Sequence, residues 1–203
     1  MAGSASAADG ELLAAARAGH TAEVSRLIAA GTDLNARDAQ GQTPLLLAVA
    51  GNHVAVAKAL LAAGADLNAQ AANRDTPWLL AGASGRSEII AAMLPLKPDF
   101  SIRNRYGGNA LIPACERAHV ETVRLLLTSG IDLDHVNDLG WTCLLEIVIL
   151  GDGGPHHQEV AKLVLDAGAN PNLADKDGVT PLAHARQRGQ RAVAALIEKA
   201  GGR

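Results

Sequence analysis

Large rings and sulfur are scarce in this sequence. Of 203 residues, 2% are aromatic, comprising one Phe, one Tyr and two Trp. Alanine (41) and glycine (21) together make up close to a third of the chain. That composition argues against one thick core of large side chains and favours thin layers in which helices approach closely. Two cysteines, Cys115 and Cys143, are too few for a disulfide framework. Positive charge is not in excess: the net charge is −3 and the isoelectric point about 6.1, which leaves no electrostatic footprint for nucleic acid. No apolar run approaches the roughly 20 residues of a membrane span. The opening MAGSASAADG has neither a basic segment nor an apolar one, so a flexible leader over residues 1–8 is expected; a reducing cytoplasm is the default setting, with an oxidising compartment left open.

What the chain has instead is a beat. Thr43-Pro44-Leu45 recurs 33 residues later as Thr76-Pro77-Trp78, then as Asn109-Ala110-Leu111 and Thr142-Cys143-Leu144. Thr180-Pro181-Leu182 follows after 38, so the fifth unit carries five extra residues, Asp152 to His156, between its two helices. Gly31-Thr32-Asp33-Leu34-Asn35, Gly64-Ala65-Asp66-Leu67-Asn68, Gly130-Ile131-Asp132-Leu133-Asp134 and Gly168-Ala169-Asn170-Pro171-Asn172 keep the same time.

Each marker has a local physical reading. Thr before an inner helix can accept a bond from an orphan N–H, and Pro next to it has the φ that the first helical residue needs. Asn109 can cap where Thr-Pro is lost, and Pro113 falls in the tolerated first turn. The recurring Gly suits a left-handed helix end. Lys97-Pro98 stands there in the third unit, so that helix should end differently. Ala48, Ala81, Ala114 and Ala185 recur at one inner position, and Leu60-Leu61, Met93-Leu94, Leu126-Leu127 and Val164-Leu165 on the outer helix. No single unit can bury its apolar face alone, so units must stack and share a core.

The pattern resembles the ankyrin repeat, most closely at 38–45 and 175–182. The resemblance implies an all-α ankyrin-repeat solenoid of helix-turn-helix units with short hairpin loops. It covers a single domain, 9–203, in units of about 9–37, 38–70, 71–103, 104–136, 137–174 and 175–203. Arg105-Tyr106-Gly107-Gly108, Pro113-Ala114-Cys115-Glu116 and Gly140-Trp141-Thr142 are similar to a group of stand-alone bacterial ankyrin proteins of about 200 residues. The family's usual His after Thr-Pro-Leu is missing, so this stack is expected to rely more on apolar contact.

Chemistry of other kinds finds no support. There is no phosphate-binding glycine loop, and Gly82-Ala83-Ser84-Gly85 falls at a helix-helix turn and not at a strand end. An enzyme is therefore not expected, nor a cofactor. His156 and His157 beside Asp152 suggest a metal, but adjacent histidines in a mobile loop lack the three or four convergent ligands that a site needs. Cys115 and Cys143, at different helical positions in adjacent inner helices, read as buried free thiols.

What remains is a surface. Ankyrin proteins usually bind partners on the concave side made by hairpin tips and inner helices. That resemblance selects Arg105, Tyr106, Glu116 and Arg117 in the fourth unit, with Arg103 close by, and Asp138, Leu139, Trp141, Ile149 and Leu150 in the fifth. Tyr, Trp and Arg are enriched in interface hot spots. Two alternatives stay open: Tyr106 and Trp141 brace each other, or the insertion covers Ile149 and Leu150. The expected protein is a monomer that binds one protein partner, without nucleic acid or membrane. A dedicated inhibitor or protector of a single enzyme, or a metal binder using the insertion, are the competing functions.

Overall fold

A computed structural model describes residues 7–203, so the expected leader lies outside the described residues up to residue 6. Twelve α-helices and one 3-10 turn are found there, with no strand among the described residues. They are α1 (Ala7–Ala18), α2 (Thr21–Ala29), α3 (Pro44–Ala50), α4 (Val54–Ala62), α5 (Pro77–Ala83), α6 (Ser87–Met93), α7 (Leu111–Glu116), α8 (Val120–Leu127), α9 (Cys143–Ile149), α10 (Pro155–Asp166), α11 (Pro181–Gln187) and α12 (Arg191–Lys199). Odd-numbered helices are inner and even-numbered helices outer. The helices fall into two compact units. One takes in the chain up to Ala81 and Arg86–Arg105, the other Gly82–Gly85 and Tyr106–Arg203, so the boundary falls within α5.

In the N-terminal unit α1 packs on α2 and α3, and α4 on α2, α3 and α6. Leu12, Leu27, Leu45, Leu46, Leu60, Ile89, Ile90 and Met93 fill its core. In the C-terminal unit α7 packs on α8 and α9, α9 on α10 and α11, and α10 on α8 and α12. Leu111, Leu126, Leu144 and Leu145 are its largest fully buried side chains. Each such side chain contributes about 1.5–3 kcal/mol of hydrophobic stabilisation. Close approach depends on small residues: a Cβ on Gly82 would come within 2.6 Å of the Ala110 carbonyl oxygen.

The capping expectations hold. Thr43, Thr76, Thr142 and Thr180 each accept through Oγ1 from the backbone N–H three residues on, at 3.1–3.3 Å. Asn109 Oδ1 accepts from Leu111 and Ile112. Lys97 takes the left-handed conformation itself, at φ 53°, after the 3-10 turn Leu94–Leu96.

The missing His does not leave the stack to apolar contact alone. Polar links recur between successive units, at other positions than the missing His. The residue before an outer helix reaches back to a carbonyl at the end of the preceding inner helix. His53 bonds the Arg17 carbonyl at 3.0 Å, Arg86 the Ala50 carbonyl at 3.2 Å, and Gln190 those of Val148 and Gly151. In the Gly-Ala-Asp-Leu-Asn segments, Asn35 Oδ1 accepts from Asp66 N–H and Asn68 Oδ1 from Asp99 N–H. Asp134 does the same for Asn170, and Asn172 for Arg203. Stacking is thus pinned at two levels, along the outer-helix starts and along the hairpin bases.

Candidate functional site

The fifth unit's hairpin is organised by one buried side chain. Asn137 is 6% exposed. Its Oδ1 accepts from the backbone N–H groups of Leu139 and Trp141, both at 3.0 Å, and its Nδ2 donates to Glu146 Oε1 at 2.9 Å. A tight turn is closed by Asn137 N–H to the Trp141 carbonyl and Gly140 N–H to the Asn137 carbonyl. The sixth unit repeats this geometry with different chemistry. Asp175 Oδ1 accepts from Asp177 and Val179, while its Oδ2 bonds His184 Nε2 at 2.7 Å. Asp175 is held below its usual carboxylate range, first by His184 and next by the Val179 N–H. In both units the first hairpin residue ties the tip to the inner helix nine residues on. In the sixth unit the inner-helix partner is an imidazole, in the fifth a carboxyl group.

That carboxyl group is unusual. Glu146 is 4% exposed, and its Oε2 is buried with no hydrogen-bond partner. Burial pushes its carboxyl up to about 7, helped by the charge of Glu116 and opposed by the bond from Asn137. Glu116 is half-buried at the end of α7. Arg117 beside it is exposed, with Nη1 donating to the Ala83 carbonyl at 2.7 Å.

The fourth and fifth repeats also carry large apolar side chains in solvent. Tyr106 is 52% exposed, Leu139 48% and Leu150 51%. The fourth and fifth hairpins are joined directly, with Asp138 N–H donating to the Tyr106 carbonyl at 2.9 Å. Lys176 Nζ donates to the Asp138 carbonyl from the other side. Trp141 and Ile149 are half-buried, and Asp138 is exposed. At half exposure, Leu150 is not covered by the insertion. Tyr106, Glu116, Arg117, Asp138, Leu139, Trp141, Ile149 and Leu150 all belong to the C-terminal unit. Arg103 and Arg105 belong to the N-terminal unit. There the Arg103 guanidinium turns back on its own loop, donating to the Phe100 and Ile102 carbonyls. Arg105 lies near Asp75, whose carboxyl burial raises and Arg105 partly restores. Trp78, expected to be structural, is 2% exposed and packs its ring on Phe100 at 5.8 Å.

Two readings of sulfur and nitrogen change. Cys115 and Cys143 are not free thiols: they form a disulfide, with Cα atoms 5.6 Å apart, and both are buried. The cross-link joins α7 to the first residue of α9, beneath the hairpins. Nor do the insertion histidines lie in a mobile loop. Pro155 starts α10 after Gly154, so His156 and His157 stand in its first turn. His157 Nδ1 bonds Asp152 Oδ1 at 2.8 Å and its Nε2 bonds the Glu116 carbonyl at 2.9 Å. Asp152 is held low first by the Gly154 N–H and next by His157. Both ring nitrogens are committed to holding the insertion against α7, and no group of three potential metal ligands occurs among the described residues.

Asn137 and the burial of Glu146 escaped sequence reasoning. The signal was the polar residue opening four hairpins, Asp38, Asn104, Asn137 and Asp175, nine residues before Leu47, Pro113, Glu146 and His184.

Comparison with known proteins agrees with the geometry. Residues 12–61 match a family model for ankyrin repeats (many copies), and 78–175 one for ankyrin repeats (3 copies). The chain is 40% identical to the ankyrin repeat protein YahD of Escherichia coli (strain K12), over 94% of this chain and 96% of that one. It is 47% identical to an ankyrin repeat domain from Acinetobacter baumannii AYE of known crystal structure. That match covers 95% and 98% of the two chains, with a TM-score of 0.91. A partial match, 35% identical over 48% of this chain and 71% of the other, is to cyclin-dependent kinase 4 inhibitor B of Bos taurus. No helix among the described residues is long and apolar enough to cross a membrane.

Proposed function

Because the chain belongs to the ankyrin-repeat family, whose repeats are general protein–protein interaction modules, we propose that it binds a protein partner through the hairpin tips and inner helices of the fourth and fifth units. The observation that carries this reading is the exposure of Tyr106, Leu139 and Leu150 in a chain otherwise poor in aromatic rings. Large apolar side chains left half in water cost solvation free energy that a partner recovers. Tyr106 and Trp141 serve as anchors. Glu116, Arg117 and Asp138 set orientation around them. Arg103 and Arg105, in the N-terminal unit, are proposed partner contacts of that unit by itself. The Asn137 network and the disulfide keep the tips fixed before binding, so little ordering entropy is lost on this side.

A pull-down from host lysate tests this, comparing the wild type with the Tyr106→Ala/Trp141→Ala variant after circular dichroism shows both folded. The expected outcome is a protein captured by the wild type and lost by the variant. Equal capture by both would move the site elsewhere on the chain. An unfolded variant would assign the two rings to bracing. The partial likeness to a kinase inhibitor favours a narrower second form, in which the captured protein is a single stoichiometric enzyme.

A further inference from the structure

Resting on that docking reading, we infer that the partner segment presents a lysine or arginine side chain to the half-buried Glu116 carboxyl group, flanked by apolar residues that cover Tyr106, Leu139 and Leu150. Two independent observations point this way. The first is the exposed apolar surface of the fourth and fifth units. The second is Glu146 itself, whose Oε2 is buried and without a partner. Buried carboxyl oxygens are normally satisfied, and this one is left without a partner in the field of a second carboxyl group. Among the described residues no lysine or arginine is ion-paired with Glu116 or Glu146. Arg117 and Lys176, the cations of neighbouring segments, are spent on the carbonyls of Ala83 and Asp138. His184, the counterpart of Glu146 in the next unit, is bound to Asp175.

A cation is the chemical complement of this arrangement. An ammonium or guanidinium donor set against half-buried Glu116 relieves its repulsion with Glu146 and favours ionisation of the buried carboxyl. Acidic Asp138 at the neighbouring tip adds to the same field. Ionised Glu146 still accepts from Asn137 through Oε1, so charge at the inner helix is coupled to the tip that carries Leu139 and Trp141.

Selection of binders from a random peptide display library against the full chain tests the inference. The wild type is expected to enrich peptides with Lys or Arg between apolar residues. Glu116→Gln/Glu146→Gln should bind those same peptides about ten- to a hundredfold more weakly, the loss of one or two charge-assisted hydrogen bonds. The glutamines keep the Asn137 contact, so circular dichroism should be unchanged. Selected peptides that need Tyr106 and Trp141 but carry acidic or uncharged consensus residues would overturn this inference and leave the docking reading intact. Enrichment that the aromatic variant does not affect, or none on the wild type, would overturn both.

Discussion

At the scale of single residues, Glu146 makes the sharpest thermodynamic statement. Below pH about 4.5 its carboxyl is neutral whether the chain is folded or not. Above 4.5 the unfolded chain releases the proton while the folded one retains it until about pH 7. The native state therefore binds more protons in that window, and stability falls as pH rises through it. The full shift corresponds to at most roughly 3 kcal/mol, complete above pH 7. Asp152 and Asp175 act with the opposite sign. Both are held low, so their stabilisation is lost as pH falls below the ordinary carboxylate range, outside the Glu146 window. Asp75, raised by burial, adds to the decline, so the comparison with a variant is essential. Urea midpoints measured from pH 4.5 to 8 should fall for the wild type and much less for Glu146→Gln. Parallel curves would show that Glu146 does not carry the burial described here.

At the scale of elements, much of the structure was readable because each helix end obeys a local rule that the repeat copies. Thr capping, Pro at the first helical position and the unusual end of α6 follow from residue type alone. Lys97 shows what the rule costs when it is broken. Its left-handed backbone is one that Gly31, Gly64, Gly130 and Gly168 adopt at the equivalent position without a Cβ. Lys97→Gly is expected to raise the free energy of unfolding by about 0.5–1 kcal/mol in urea titration. Pairing of the cysteines was not readable. Different positions on two helices say nothing of how close their Cα atoms come, and only the packing of α7 on α9 brings them to 5.6 Å. That cross-link closes a sequence separation of 28 residues. In the chain-entropy account this contributes about 3.5 kcal/mol. Thermal scans with and without a thiol reductant should therefore differ by roughly 7–14 °C in Tm. Identical scans, with thiol titration proving reduction, would remove the disulfide from the account of stability.

At the scale of the whole chain, repetition explains both what could be read and what could not. A 33-residue beat prescribes helices, turns and stacking, so the family and its fold were legible from the residues. Departures from the beat carry the individuality of this protein, and their meaning depends on neighbours distant in sequence. His157 reads as a stray histidine at the insertion until it is seen bridging Asp152 and the Glu116 carbonyl. Leu139, Leu150 and Tyr106 could be assigned to tips and inner helices, but only their exposure separates a surface from a local core. Asn137 joins a tip to a buried carboxyl group, which a linear pattern does not express. The central claim is that this surface is where a protein docks. Amide hydrogen exchange of the chain, alone and saturated with a captured partner, tests it most directly. Exchange should slow over the tip residues 105–109 and 137–141 and around Leu150, while the outer helices α8, α10 and α12 stay unchanged. Protection confined to those outer helices, with the tips unaffected, would contradict the account.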